Sequence, residues 1–116
     1  MTGRYVIDRA LSMLGLSDEV GNTSDERFQK AAQTAFETVC IDLWFLHEPD
    51  RVLPDQFDVN EEITFFPVRV TADVMPYGVA AFVAQTIGDA NAAAFFAAQY
   101  NAKRKRIGSG RIKEVL

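Results

Sequence analysis

Cysteine and histidine are almost absent from the sequence, which excludes several kinds of site. Cys40 is the only cysteine among 116 residues, so no internal disulfide and no cysteine-based zinc site can form. We expect Cys40 to fill space in the core. His47 is the only histidine and lies beside Glu48 and Asp50, a spacing that does not supply a metal site. We expect His47 to act as a cation at a helix end, and we predict neither a metal nor a cofactor.

Long apolar runs are also missing. No stretch approaches the roughly 18 to 20 uninterrupted apolar residues that a membrane helix requires, and the N-terminus lacks the basic-then-apolar order of a signal peptide. We therefore expect a protein that is soluble when made, with no membrane partner. The hydrophobic share of 48% is spread along the whole chain without an internal repeat, which favours one globular fold.

Residues with the spacing of a catalytic site are lacking as well. The acidic pairs Asp18/Glu19, Asp25/Glu26 and Glu61/Glu62 are adjacent in sequence, so their side chains diverge in a helix or strand. Gly108-Ser109-Gly110 follows a helical pattern instead of leading from a strand into a helix, so it is a linker and not a phosphate loop. We predict that the protein is not an enzyme.

Charge is unevenly distributed along the chain. The formal net charge is −4, but residues 1–102 carry 6 basic and 15 acidic side chains, whereas residues 103–116 carry 6 basic and one acidic. The basic end suits an acidic partner, which is either nucleic acid or the acidic body of a neighbouring copy. The alternative is that Lys103 to Arg106 are simply solvated and complement the dipole of the last helix.

Hydrophobic periodicity predicts four helices. The first covers Thr2 to Leu14 and stops at Gly15. The second starts at a capping box of Thr23 and Glu26 and ends near Glu48. The third, Pro76 to Ile87, is apolar on all sides and must be central or covered by partners.

The last helix is predicted from Ala90 to Ile107, after a turn at Gly88 and Asp89. Ile63 to Phe66 is β-prone and predicts one short strand or hairpin. The expected fold is mainly α, a four-helix bundle-like subunit with that β element and an extended C-terminal arm. We divide the chain into a helical domain, 1–107, and a flexible arm, 108–116.

Several segments together resemble the head-tail connector, or adaptor, proteins of tailed bacteriophages. These segments extend over nearly the whole chain: Ile7-Asp8-Arg9-Ala10-Leu11 with Leu14-Gly15, Asp42-Leu43-Trp44, Ile63 to Pro67 ahead of Asp73-Val74, Pro76-Tyr77-Gly78-Val79-Ala80, Gly88-Asp89, Tyr100-Asn101-Ala102-Lys103-Arg104 and Arg111-Ile112. Such proteins are small, helical and bind beneath the portal of the capsid.

The resemblance implies a structural protein in the neck of the virion, assembled in the cytoplasm of the host. It implies a ring of identical subunits around the DNA exit channel, with the portal protein above, tail or stopper proteins below and genomic DNA passing through. It supplies no catalytic residue.

The residues predicted to meet partners are aromatic or aliphatic groups near the C-terminal end: Tyr77, Phe82, Phe95, Phe96, Tyr100, Ile112, Val115 and Leu116. The candidates for contact with DNA or an acidic partner are Lys103, Arg104, Lys105, Arg106, Arg111 and Lys113.

The alternative is a small helical DNA-binding regulator. In that interpretation the Gly88-Asp89 hairpin acts like a helix-turn-helix and Lys103 to Arg106 bind phosphates. A sequence pI near 4.9 and a last helix rich in alanine, which offers few groups to read base edges, count against it.

Overall fold

The described residues of the protein form four α-helices. The computed structural model describes residues 1–16, 26–47 and 52–115, and for His47 and residues 108–115 it describes only the backbone. The helices are α1 (Gly3–Met13), α2 (Glu26–His47), α3 (Met75–Thr86) and α4 (Ala90–Val115). Within these ranges there is no β-strand. The prediction of a mainly helical subunit with four helices is confirmed.

The first helix begins and ends as its sequence predicts. The Thr2 hydroxyl accepts a hydrogen bond from the Tyr5 amide at 3.2 Å, which satisfies one of the free amides of the first turn. Gly15 has a φ of 73°, a conformation that glycine adopts without strain and that ends helices. Val6, Ile7 and Leu11 are fully buried, so α1 directs one face into the core.

The second helix, α2, forms one side of the core. Its buried face includes Phe36, Val39 and Leu43, at the three- and four-residue spacing expected of an amphipathic helix. The predicted capping box includes Thr23, which lies outside the described residues.

The third helix is the centre of the fold. It packs on α1, α2 and α4, and Val79, Ala80 and Val83 have no exposed surface. Most of its apolar surface is thus enclosed within one chain, and Phe82, at 38%, is its exposed large apolar side chain.

A π-helical segment, Val70–Val74, leads directly into α3. The Met75 amide bonds to the Val70 carbonyl, five residues back, and Pro76 follows at the first turn of α3. Proline has no amide hydrogen and crowds the carbonyl four residues before it. The wider π turn is a common way to accommodate such an interruption, so the helical run extends upstream of Pro76.

A tight turn reverses the chain between α3 and α4. Gly88 has a φ of 82°, and the Asp89 carboxylate accepts a hydrogen bond from the Ala92 amide at 3.0 Å. The predicted helix stop at Gly88 and helix start at Asp89 are both found.

The last helix continues further than the sequence predicts. It runs through Gly108, Ser109 and Gly110 to Val115, so the extended arm and its flexible joint are not confirmed. Each glycine costs roughly 1 kcal/mol relative to alanine inside a helix. An existing helix tolerates that cost, because adding residues to its end is much easier than nucleating a new helix.

The predicted strand near Ile63 is likewise not confirmed. The only pairing there, within the described ranges, is one isolated antiparallel bridge between Thr2 and Glu62. The aromatic residues of this segment pack around Trp44 instead: the ring centroids of Trp44 and Phe65 are 5.6 Å apart, and those of Trp44 and Phe57 are 6.2 Å apart. Burial of these rings on α2 replaces the pairing that a second strand would have provided.

Candidate functional site

An open groove of about 770 Å³ lies between α2, α3 and α4. Its wall on α4 consists of small side chains at helical spacing, Ala90, Ala93, Ala94 and Ala97. Its floor on α3 includes Phe82, which is 38% exposed. This mainly apolar surface is open to solvent, and we call it the α2–α4 groove.

Side-chain size explains why the groove exists. Methyl groups on the N-terminal half of α4 are too short to fill the space between this helix and α2. Further along α4, Tyr100 fills that space and is 6% exposed. A β-carbon added at Gly78 would lie 2.7 Å from Cε1 of Tyr100 and 2.8 Å from Cγ2 of Val39. Gly78 therefore allows α2, α3 and α4 to meet closely at the end of the groove.

A polar cluster closes this end of the groove. Tyr100 Oη donates a hydrogen bond of 2.7 Å to Asp42 Oδ2, and Arg104 donates from Nε to Oδ2 at 2.6 Å and from Nη2 to Oδ1 at 2.9 Å. Burial opposes ionisation of Asp42, but the hydrogen bonds from Arg104 and Tyr100 outweigh it and lower the pKa of the carboxyl group. Burial, followed by the bond to Asp42, raises the pKa of Tyr100. The cluster joins α4 to α2 as a bidentate ion pair supported by a phenol.

The basic run is divided between internal and external roles. Lys103 Nζ bonds to Asp73 Oδ1 at 2.8 Å and lies 4.8 Å from the centroid of the Tyr77 ring. Arg104 is held by Asp42. Lys105 and Arg106 are exposed. Two of the four consecutive cations thus fix α4 to its own subunit, and two face solvent.

The two remaining cations of the predicted set lie where side chains are not described. Arg111 and Lys113 have helical backbone in α4. The same holds for Ile112 and Val115 of the predicted partner set, and Leu116 lies outside the described residues.

The predicted aromatic partner residues separate into two groups. Tyr77 and Phe96 are half-buried and pack together, with ring centroids 6.1 Å apart, and Tyr100 is buried. Phe82 and Phe95 are 38% and 57% exposed. The exposed pair is available to a partner, whereas the other three mainly hold α4 on the core.

Metal-ligating side chains do not cluster in the described part of the chain. In those residues no three histidine, cysteine, aspartate or glutamate side chains lie close enough to hold a metal ion. His47 ends α2. Cys40 is buried, and desolvation raises the pKa of its thiol, so the thiolate form is strongly disfavoured.

Sequence reasoning missed the two carboxylates that hold the basic run, Asp42 and Asp73. A signal was present for the first: Asp42 stands in α2 between the apolar residues Ile41 and Leu43, where a charged side chain needs a partner. It also missed Ile41 and Phe45, which are 40% and 57% exposed on α2. Both share the helical face of Thr38, a residue that lines the groove.

Comparisons with known proteins add no relative. The chain matches no family model, no curated protein and no solved structure. Among the helices of the described residues, none is both long and apolar enough to cross a membrane.

Proposed function

We propose that the protein is a structural head-tail connector subunit of a tailed bacteriophage, forming a ring beneath the portal and around the DNA channel. The observation that carries this proposal is the open α2–α4 groove. The core already encloses most of the apolar α3. Apolar surface is exposed in and around the groove, by Phe82 on its floor, Ile41 and Phe45 on α2, and Phe95 on the outward side of α4.

The composition of the groove supports assembly more than binding of a small molecule. Its wall from Ala90 to Ala97 presents methyl groups, and the charged groups at its closed end, Asp42 and Arg104, are already paired with each other. Small side chains allow another helix to approach closely. Exposed Phe95 on the outward side of α4 adds a second apolar contact, and aromatic residues are common anchors of protein interfaces.

The C-terminal turns of α4 are the proposed contact with the portal. Ile107 is the last described residue of α4 that packs against the core, and Ile112, Val115 and Leu116 follow it in sequence. In the assembled neck, exposed Lys105 and Arg106 meet an acidic partner, which is the phosphate backbone of the passing DNA or the acidic surface of a neighbour.

The test is the mass of the purified protein, measured by light scattering and native mass spectrometry, alone and after mixing with the portal protein of the same phage. A multimeric ring, or a complex that forms on the portal, is the expected result. A monomer at every concentration that also ignores the portal would overturn the proposal. Tight binding of that monomer to duplex DNA with a steep salt dependence would instead indicate the DNA-binding regulator.

A further inference from the structure

Two surfaces of the subunit lie on opposite sides of the α2–α3 pair. Both α1 and α4 pack on α2 and on α3, but they do not pack extensively on each other. They therefore flank the pair from different sides. The outward face of α1 consequently points away from the α2–α4 groove of its own subunit.

The outward face of α1 carries one large side chain among small or polar ones. Tyr5 is 41% exposed, and it shares a shallow surface with Asp8, Arg9, Ser12 and Met13. Tyr5 and Ser12 are seven residues apart, so they lie on the same side of the helix. An aromatic ring that projects beside a small hydroxyl side chain can insert between alanine methyl groups of another helix.

The lengths of the two surfaces agree. The open alanine wall on α4 extends from Ala90 to Ala97, seven residues or about 10 Å at the α-helical rise. Tyr5 and Ser12 on α1 are also seven residues apart, about 10 Å. The outward face of α1 between them therefore matches the open part of the wall in length.

The groove has a positive border. A second open surface continues it, sharing Thr38 and Phe82, and is lined by Arg27 and Lys30. Within the residues that line these two surfaces, Asp42 is the single acidic side chain, and Arg104 already neutralises it.

The α1 side has a negative border. The segment that follows residue 54 runs beside the start of α1, because the Arg4 amide donates to the Val59 carbonyl at 2.8 Å. Its four carboxylates, Asp55, Asp58, Glu61 and Glu62, join Asp8 of α1 against two cations, Arg4 and Arg9. The N-terminal ammonium also lies here and pairs with Glu62, so five acidic and three basic groups give this side a net formal charge of −2.

We propose that the outward face of α1, with the adjacent acidic segment, docks into the α2–α4 groove of a second copy of this chain. Tyr5 enters between the alanines of the wall, and the acidic segment meets Arg27 and Lys30. This proposal rests on the proposed function and specifies which surfaces form the ring contact. Since the two surfaces are different and face different directions, each copy can bind one neighbour with each. This is the head-to-tail arrangement that forms a cyclic ring when the rotation between successive copies closes.

The experiment uses introduced cysteines. Buried Cys40 is unreactive, so new thiols can be joined selectively with a short bismaleimide. The test variant combines Ser12→Cys with Ala94→Cys on the groove wall, and the control combines Ser12→Cys with Ala102→Cys, two turns further along α4 and turned away from the groove. Both alanines are exposed on α4, but only Ala94 lines the groove.

A ladder of dimers, trimers and larger species from the test variant, with little product from the control, is the expected result. A heterologous contact forms such a ladder because each copy contributes one thiol to the contact with one neighbour and its other thiol to the contact with the next. No ladder, or equal ladders from both variants, would overturn the proposal.

Substitution provides a second measurement. Ala94→Arg is expected to weaken self-association by about tenfold or more, because it places a bulky charged side chain in an apolar contact, whereas Ala102→Arg changes it less than about twofold. A wild-type ring or portal complex that Ala94→Arg does not weaken would overturn this contact and leave the connector function intact. Absence of any wild-type assembly would instead remove the connector function.

Discussion

Gly78 is the residue at which three helices come closest. A β-carbon there would lie 2.7 Å from the Tyr100 ring and 2.8 Å from the Val39 side chain, so one of them must move. We expect Gly78→Ala to lower the free energy of unfolding by about 1–3 kcal/mol, as overpacking of a core does, despite the better helix propensity of alanine. Urea unfolding followed by circular dichroism measures this change. A variant as stable as the wild type would show that Tyr100 is not held tightly against α3.

Close to Gly78, Asp42 on α2 is joined to α4 by its ion pair with Arg104. We expect Asp42→Asn to cost about 1 kcal/mol at neutral pH, because it removes the ion pair with partly exposed Arg104. The pKa of Asp42 is lowered in the folded protein, so its contribution is present above the ordinary aspartate pKa of about 3.9. It is lost as pH falls through the lower folded value. The stability difference between variant and wild type should therefore shrink below about pH 4.

Thermal unfolding at a series of pH values measures that difference. Asp55→Asn is the matched control, because Asp55 is an exposed carboxylate of the segment after residue 54. The same pH-dependent loss in both variants would show that the effect is general charge and not the cluster.

Among the elements, the helices could be predicted from local sequence. Thr2, Gly15, Gly88 and Asp89 act through backbone chemistry within a few residues, so the ends of α1 and the α3–α4 turn were predicted correctly. The strand near Ile63 was not confirmed, because the fate of that segment depends on Trp44, which lies about twenty positions away in sequence.

The groove was beyond sequence reasoning for a related physical reason. Alanine at helical spacing is equally consistent with a tightly packed and an uncovered face, and only the position of α2 decides between them. The alanines of its wall on α4, Ala93, Ala94 and Ala97, can be recognised in the sequence. The polar end of the groove depends on the pairing of Asp42 with Arg104, which are 62 residues apart in the chain.

The continuity of α4 beyond Ile107 gives a prediction at the scale of one element. If residues 108–110 are helical, Gly108→Ala with Gly110→Ala should increase helix content and raise stability by about 0.5–1 kcal/mol per site. Gly15→Ala is the contrasting control: with a φ of 73°, this position strains alanine, so stability should fall. Circular dichroism and thermal unfolding measure both changes. No increase from the double variant would favour the flexible joint.

The whole molecule separates folding from assembly along α4. Tyr100, Arg104 and Ile107 hold α4 on the rest of the protein, and a chain ending at residue 107 keeps these contacts, so it should keep its fold. It should nevertheless lose affinity for the portal or for the ring, because Ile112, Val115 and Leu116 are removed. Thermal unfolding and light scattering with the portal test the two halves of this prediction. Unchanged assembly after truncation would show that the end of α4 is not a docking element.

The aromatic cluster around Trp44 has a practical consequence for all of these measurements. Trp44 is the only tryptophan and is 2% exposed among Phe57, Phe65 and Phe66, and it does not line the groove. Its fluorescence emission should shift to longer wavelength when the core opens and stay constant when subunits join. The chain thus contains an intrinsic optical probe that distinguishes loss of the fold from loss of the proposed self-association.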